Sequence, residues 1–310
     1  MNKIIKSVIK KVSNQEISVK KNYKLFRILQ KIVSPDFLNK DDYKDVVFSV
    51  DTRNIKCRVF EPANNSKKTK AIIFIHGGGW VLGSIESYTK TCIELSKKTN
   101  RMVIAIDYRL APEYPYPAGF DDCYDIVNLI MNNLEAIGLT NDDVCLMGDS
   151  AGGNLAAAIS LKSRSTKDFK IKKQILLYPV LQSDYSKNTK YKSVIENGED
   201  YLLTRKQLEE YMDLYVDNPK YLNSSYVSPL KVMFPFFQPR TLIITADKDP
   251  LRDEGKSYAR KLKLFFNKVT YYNFKDAMHG FLSYPIGKKY KDKAYDKILQ
   301  FLGDDYEQKK

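Results

Sequence analysis

The amino-acid sequence predicts an α/β fold, in which a mostly parallel central sheet is covered by helices on both faces. Short apolar runs without alternation recur along the chain, and segments with helical periodicity lie between them. Strands that are buried on both faces of a parallel sheet are apolar throughout. The 310 residues are 43% hydrophobic and 28% charged, which is typical of a globular protein and excludes a disordered chain.

Residues 1–45 are predicted to form a separate helical cap element. Apolar residues recur at helical spacing over residues 3–33, with one polar break, and Ser34-Pro35 ends the pattern. The lysines of this segment are most simply a solvated helix face, and the alternative is a helix that lies on an anionic membrane surface. They are Lys3, Lys6, Lys10, Lys11, Lys20, Lys21 and Lys24.

From residue 46 onward, predicted strands and helices alternate. The strands are expected at 46–50, 55–60, 71–75, 102–106, 144–147, 174–178, 241–245 and 269–274. The helices are expected near 87–98, 119–134, 151–163, 253–266 and 288–302. This pattern assigns residues 46–183 and 229–310 to one catalytic core.

A tyrosine-rich insertion at 184–228 interrupts the alternation. An insertion of this length between core elements is usually functional, so we expect a cap or lid that packs with the N-terminal helices. Within it, Thr204 and Gln207 have the spacing of a capping box and predict a helix through Val216.

Several properties of the chain exclude whole classes of function. The longest apolar runs, such as 71–75, fall far short of the roughly 20 residues that span a bilayer. No secretory signal is recognisable, so we expect a cytoplasmic protein without stable membrane insertion. The net charge of +14 comes from lysines scattered among acids, which favours a solvated basic surface over a nucleic-acid site. Weak association with membrane surfaces and a homodimer stay open.

The cysteines and histidines do not predict a metal centre. Cys57, Cys92, Cys123 and Cys145 are widely separated, and Cys145 lies in a strand-like run that favours a buried reduced thiol. With only two histidines in the chain, a zinc site is not expected.

The segment Gly148-Asp149-Ser150-Ala151-Gly152 matches G-x-S-x-G between a predicted strand and an alanine-rich helix. In that setting the turn is so tight that small residues must flank the serine, whose hydroxyl then projects above the sheet. The alternative is a glycine-assisted helix start with Ser150 as the N-cap. We favour Ser150 as a nucleophile.

A second motif, His76-Gly77-Gly78-Gly79-Trp80, follows the predicted strand 71–75. Acyl transfer develops a negative oxygen that needs preorganised N–H donors. Consecutive glycines let the backbone approach a substrate closely and adopt the dihedral angles that direct N–H groups inward. We therefore predict an oxyanion hole that comprises Gly77, Gly78, Gly79 and the N–H of Ala151.

A serine nucleophile needs a base and an acid. His76 belongs to the glycine loop, so His279 is the predicted base. Asp247 and Asp249 both follow the predicted strand 241–245, and chemistry alone does not choose between them; Asp276 is a weaker candidate. The order serine, aspartate, histidine is that of α/β-hydrolases.

The chain resembles the hormone-sensitive lipase-like family of α/β-hydrolases, which includes bacterial acetyl esterases and carboxylesterases. The resemblance lies in the blocks 76–80, 107–113, 115–123, 148–155, 249–255 and 279–281. It implies an α/β-hydrolase fold with a helical cap, Asp249 as the triad acid, and N-terminal helices that join the lid above the acyl site. Segments 1–45 and 184–228 match no family pattern closely.

These residues together predict a serine carboxylic-ester hydrolase that forms an acyl-serine intermediate. We expect small, short-chain acyl esters as substrates and no cofactor. An amidase, thioesterase or peptidase with the same triad is the alternative, and a non-catalytic small-molecule receptor is a remote one. Trp80, Asp149 and Phe281 border the motifs and are candidates for the substrate pocket, although core packing would also explain Trp80 and Phe281.

Overall fold

The structure is a computed structural model that describes residues 18–33, 42–62, 70–283 and 288–303. Its eight strands are β1 (Lys44–Val50), β2 (Arg53–Phe60), β3 (Ala71–Ile75), β4 (Met102–Asp107), β5 (Val144–Asp149), β6 (Lys173–Leu177), β7 (Arg240–Lys248) and β8 (Val269–Met278). They form one sheet in the order β1-β2-β4-β3-β5-β6-β7-β8. The pairs β1–β2 and β2–β4 are antiparallel, and the other five pairs are parallel. The predicted mostly parallel sheet is confirmed.

Helices cover both faces of this sheet. They are α1 (Val19–Val33), α2 (Ile85–Thr99), α3 (Ala118–Asn132), α4 (Ala151–Thr166), α5 (Lys192–Glu196), α6 (Arg205–Tyr215), α7 (Arg252–Leu264) and α8 (Lys288–Leu302). Alternate residues of β3 enter two different hydrophobic cores: Ile73 and Ile75 join one, whereas Ile72 and Phe74 join the other. Both sides of the strand are therefore buried, which is why its sequence is apolar throughout.

Most strand ends lie within two residues of the sequence prediction, and the largest differences are at the ends of β7 and β8. β7 and β8 run to Lys248 and Met278, beyond the predicted ends at 245 and 274, and a register shift lies between Ala246 and Lys248. The added residues include the exposed Lys275 and Asp276, which have no apolar pattern and lie at the register shift, between the paired residues Phe274 and Met278. β1 begins at Lys44, so the predicted element boundary at residue 45 falls inside a strand.

The 184–228 insertion contains α5, α6 and a 3₁₀ turn over Pro219–Asn223. Thr204 and Gln207 form the predicted capping box: the N–H of Gln207 donates to Thr204 Oγ1 at 3.2 Å and the N–H of Thr204 donates to Gln207 Oε1 at 3.0 Å. α6 ends at Tyr215, one residue before the predicted end.

The described N-terminal helix α1 contacts this insertion and the loops near the glycine motif. Glu210 of α6 accepts hydrogen bonds from the N–H groups of Val19 at 2.5 Å and Lys20 at 3.2 Å. Arg27 forms a bidentate ion pair with Glu113 at 3.0 Å. The helix predicted before residue 18 lies outside the described residues, and the division into cap and core stays a prediction.

Among the described helices, none combines the length and the apolar character that a membrane span requires. All four cysteines are buried free thiols, as expected for Cys145.

Candidate active site

Ser150 lies on a sharp turn between β5 and α4. Its backbone φ is 53°, a conformation that is uncommon for residues other than glycine and that occurs at functional turns. The turn packs so tightly that a Cβ on Gly148 would lie 2.3 Å from the carbonyl oxygen of Gly152, and a Cβ on Gly152 would lie 2.0 Å from that of Ile75. Only glycine fits at both positions, which explains the spacing of the motif.

The side chains of Ser150, His279 and Asp249 form one hydrogen-bonded chain. His279 Nε2 lies 2.9 Å from Ser150 Oγ, and His279 Nδ1 lies 2.8 Å from Asp249 Oδ2. Asp249 is fully buried, and the His279 side chain is 11% exposed. A neutral imidazole that donates from Nδ1 to the carboxylate leaves Nε2 free to accept the serine O–H.

The loop that carries Asp249 is held by the insertion. Asn197, which ends α5, donates from Nδ2 to the carbonyl oxygens of Asp247 and Asp249, at 3.2 Å each. Ser193 Oγ donates to the carbonyl oxygen of Pro250 at 2.7 Å. No local sequence pattern points to Asn197 or Ser193, because they lie 50 or more positions from the loop they hold.

Asp247 and Asp276 make other contacts. The carboxylate of Asp247 accepts the N–H of Asp276 at 3.3 Å and lies 3.4 Å from Lys248 Nζ. Burial alone would raise the pKa of Asp247, but the Asp276 N–H and the Lys248 charge outweigh it, so that its pKa is lowered. Asp249 is therefore the carboxylate that contacts His279. Residue chemistry alone did not choose between Asp247 and Asp249 as the acid.

The glycine loop has the left-handed backbone that its composition suggested. Gly78 has φ of 115° and Gly79 has φ of 62°. A Cβ on Gly78 would lie 2.2 Å from the carbonyl oxygen of Leu82, and one on Gly79 would lie 2.4 Å from Cδ1 of Tyr211 in α6. Within the described ranges, the N–H groups of Gly78, Gly79 and Ala151 have no protein acceptor.

Gly77 differs from its two neighbours. Its N–H donates to Asp149 Oδ1 at 2.9 Å, so this donor is not free to bind a substrate oxygen. The sequence predicts Gly77 in the oxyanion hole and Asp149 in the substrate pocket. The hydrogen bond between them connects the end of β5 to the start of the glycine loop.

Asp149 is a buried carboxyl group with several donors around it. It is 2% exposed, and its Oδ2 accepts hydrogen bonds from the hydroxyls of Tyr88 at 3.0 Å and Tyr178 at 3.4 Å. Burial raises the pKa of Asp149 to about 6, although the hydrogen bonds from Tyr88 and Gly77 oppose the shift. This carboxyl group therefore changes charge near neutral pH.

Three aromatic side chains pack around the motifs. Trp80 is 2% exposed and stacks on Tyr215 of α6, with 4.2 Å between ring centroids and an interplanar angle of 2°. Phe281 is 3% exposed and packs edge-on against Tyr178, whose ring also contacts His279. His76 is buried, and burial lowers its pKa to about 4, so its ring is neutral at neutral pH.

The fold and the hydrogen bonds that join Ser150, His279 and Asp249 define an α/β hydrolase. Residues 72–283 match the protein family described as alpha/beta hydrolase fold, and the chain belongs to it. Within the family it lies on the hormone-sensitive lipase and carboxylesterase-like branch, as its relatives show.

Three relatives illustrate the similarity. An arylesterase of Saccharolobus solfataricus is 31% identical over 272 residues, which are 87% of this chain and 85% of that protein. An α/β hydrolase of Acanthamoeba polyphaga mimivirus is 31% identical over 223 residues; these are 71% of this chain but only 63% of that protein. The solved structure of an esterase from Pyrobaculum calidifontis superposes with a TM-score of 0.83 at 26% identity, over 97% of each chain. The predicted class of enzyme, an ester hydrolase, is thereby confirmed.

Proposed function

We propose that the protein hydrolyses small carboxylic esters through an acyl-serine intermediate on Ser150. The observation that carries this proposal is the chain of two hydrogen bonds, 2.9 Å from Ser150 to His279 and 2.8 Å from His279 to Asp249. Such a chain activates a serine hydroxyl, which is a weak nucleophile at its ordinary pKa.

In the first step, Ser150 Oγ attacks the ester carbonyl carbon while His279 Nε2 takes the hydroxyl proton. The buried Asp249 stabilises the imidazolium that forms and keeps the ring in its reactive orientation. The imidazolium then donates its proton to the departing alcohol. In the second step a water molecule attacks the acyl-serine while His279 accepts its proton. The imidazolium then returns this proton to Ser150 Oγ as the bond to the acyl carbon breaks and the carboxylic acid leaves.

The N–H groups of Gly78, Gly79 and Ala151 are proposed to bind the oxygen that becomes negative in each tetrahedral intermediate. Ala151 follows Ser150 directly, and Gly78 and Gly79 follow Gly77, where a Cβ would lie 3.1 Å from Cβ of Ser150. Among the described residues, none accepts a hydrogen bond from these three N–H groups. Donors that are oriented in advance contribute most to catalysis, because they need no reorganisation when the charge develops. Gly77 and Asp149 are proposed to hold this loop in position.

The insertion supports a preference for short acyl groups. The Tyr211 ring packs directly on Gly79, where a Cβ would lie 2.4 Å from it. Trp80 and Tyr215 close the neighbouring space by stacking. Because these aromatic side chains pack beside the glycine loop, we expect long acyl chains to fit poorly.

The proposed setting is the cytoplasm, with a small-molecule ester as the partner of the site. Four buried free thiols fit a reducing compartment. The proposed chemistry uses only protein side chains and water, so it requires no cofactor.

Replacing the nucleophile tests the proposal. We expect the substitution Ser150→Ala to lower kcat for p-nitrophenyl acetate by a factor on the order of 10⁶, without changing the thermal stability appreciably. A matched control is Ser186→Ala, which alters a half-buried serine of the insertion and should keep the parental rate. Parental activity in Ser150→Ala would refute the assignment.

Two further measurements define the substrate. A fluorophosphonate probe should label the parental protein and fail to label Ser150→Ala. A series of p-nitrophenyl esters from acetyl to dodecanoyl should show falling kcat/KM with chain length, and p-nitroacetanilide should be a poorer substrate than the acetyl ester. Faster hydrolysis of the anilide would instead assign the protein to the amidases.

A further inference from the structure

Two adjacent loops at the amino ends of β7 and β8 expose large apolar side chains to solvent. One loop precedes β7 and the other joins α7 to β8. Their exposed side chains, here called the aromatic patch, are Met233 (72% exposed), Phe234 (64%), Phe236 (40%), Phe237 (75%), Leu264 (74%) and Phe266 (91%). A contiguous apolar surface of this kind usually marks a site of interaction.

The patch is held in place by specific contacts. Asn267 donates from Nδ2 to the carbonyl oxygen of Pro235 at 2.6 Å and accepts the N–H of Gln238 at 2.7 Å, so one side chain fastens the two loops together. Phe237 and Phe266 both have φ of 60°, which is unfavourable for a large side chain. Both exposed phenylalanines therefore have a strained backbone. Asparagine or aspartate would tolerate this φ better and would not expose an apolar ring to solvent.

The charged residues of the two loops and of the chain beside them are all basic. No aspartate or glutamate occurs in residues 229–246 or 255–275. Lys231, Arg240, Lys263 and Lys268 flank the exposed rings in sequence, and within the described ranges none of them has a carboxylate partner. Arg164 adds a guanidinium group 4.7 Å from the centroid of the Phe237 ring.

We propose that the aromatic patch and its basic rim dock on the surface of an anionic lipid bilayer. Phenylalanine and leucine side chains enter the boundary between headgroups and acyl chains, while the cations remain beside the lipid phosphates. Charge decides against a second copy of this chain as the occupant. A symmetric pair would bring two rims of the same sign together, which is unfavourable.

The position of the patch determines how the docked protein is oriented. The two loops precede the first residues of β7 and β8, Arg240 and Val269. Ser150 follows the last residue of β5, which is parallel to these strands. The patch therefore lies at the amino ends of the parallel strands and the nucleophile at their carboxyl ends. An enzyme docked through the patch would receive its substrate from the aqueous side.

Vesicle co-sedimentation of the full chain tests the inference. The parental protein should sediment with vesicles that contain phosphatidylserine, and much less with vesicles of phosphatidylcholine alone. The variant Phe237→Asn/Phe266→Asn removes two rings and puts a residue that tolerates positive φ at both positions. It should fold normally and bind the anionic vesicles at least about tenfold more weakly.

Matched controls distinguish binding through the aromatic patch from nonspecific binding through other exposed apolar or basic side chains. Val47→Ser changes a side chain that is 59% exposed on β1 and should leave vesicle binding unchanged. Lys263→Gln/Lys268→Gln should weaken binding, whereas Lys98→Gln, on the exposed end of α2, should have little effect. Raising the salt concentration should weaken binding as well.

Three results would overturn the inference. The first is failure of the parental protein to bind anionic vesicles at low salt. The second is parental binding by the Phe237→Asn/Phe266→Asn variant, which would assign the membrane contact to another segment. The third is a dimer in analytical ultracentrifugation that the same variant abolishes, because the patch would then be an interface between copies. Hydrolysis of a soluble ester by every variant serves as the folding control.

Discussion

The carboxylate of Asp149 accepts the N–H of Gly77 at 2.9 Å, and so connects the residue before the nucleophile to the loop proposed to bind the oxyanion. The two residues are 72 positions apart in the chain, but Asp149 is the last residue of β5 and Gly77 follows the end of β3, and these two strands are parallel neighbours. One hydrogen bond therefore sets the relative position of the nucleophile and the loop. Its strength depends on the charge of a buried carboxyl group.

Asp149 should make the stability of the protein depend on pH. Its pKa is about 6 in the fold against an ordinary 3.8, so the folded state holds a proton that the unfolded state has released. The free energy of unfolding should fall as the pH rises from 3.8 to about 6 and should level off above that range. The full change corresponds to about 3 kcal/mol. Asp149→Asn cannot ionise, so the difference in unfolding free energy between the two proteins should follow this curve.

Urea denaturation at a series of pH values measures that difference, because contributions from other groups cancel between the two proteins. Since the amide oxygen of asparagine can still accept the Gly77 N–H, the variant should also keep most of its esterase activity. A difference in stability that does not vary between pH 4 and pH 6 would contradict the raised pKa of Asp149.

The two aspartates after β7 should respond very differently to substitution. Asp249→Asn removes the acceptor that orients His279 and is expected to lower kcat by a factor on the order of 10⁴. Asp247→Asn alters a carboxylate that pairs with Lys248 and Arg252 at the surface, and should change kcat by less than about threefold. Steady-state kinetics on p-nitrophenyl acetate compares them. Equal losses would mean that the histidine uses both carboxylates.

The contact between Gly79 and Tyr211 predicts a rescue experiment. Gly79→Ala places a methyl group 2.4 Å from the tyrosine ring and should lower kcat on the order of 100-fold by displacing an oxyanion donor. In a Tyr211→Ala background the loss should shrink, leaving a residual cost from the positive φ of about 1 kcal/mol.

Gly78→Ala is the matched control for this experiment. Its added methyl group would meet the backbone carbonyl of Leu82 at 2.2 Å, which a change at Tyr211 cannot relieve. Double-mutant cycles should therefore give a large coupling energy between Gly79 and Tyr211 and almost none between Gly78 and Tyr211. Equal coupling at both positions would show that the steric assignment is wrong.

Asn197 should act on catalysis through the position of Asp249. Asn197→Ala removes two hydrogen bonds to the loop that carries Asp249. We expect kcat to fall about tenfold with little change in KM, because the loop would act through the orientation of His279. The stability should fall by about 1–2 kcal/mol. Asn188→Ala, at an exposed site in the same insertion, is the control. A loss confined to stability, with kcat unchanged, would make Asn197 purely structural.

The sequence alone determined the fold class and the local chemistry of the site. Buried parallel strands must be apolar on both faces, so β3 and β5 were recognisable as continuous runs. The turn at Ser150 admits only glycine at 148 and 152, because a Cβ at either position would lie within 2.3 Å of a backbone oxygen. This requirement appears in the sequence as the G-x-S-x-G motif. Such features depend on residues that are neighbours in the chain, so their physical cause is contained in a short segment.

The tertiary structure alone decided which distant groups meet. Asp247 and Asp249 have the same chemistry and follow the same strand, and only the path of β8 brings His279 to one of them. The partnership of Asp149 with Gly77, the support from Asn197 and the contact of Tyr211 with Gly79 join residues 50 or more positions apart. The exposure of the aromatic patch could not be predicted either, because Phe237 and Phe266 carry the same apolar side chain as the phenylalanines of the core. Burial depends on how the elements pack in three dimensions, and the order of residues along the chain does not specify it.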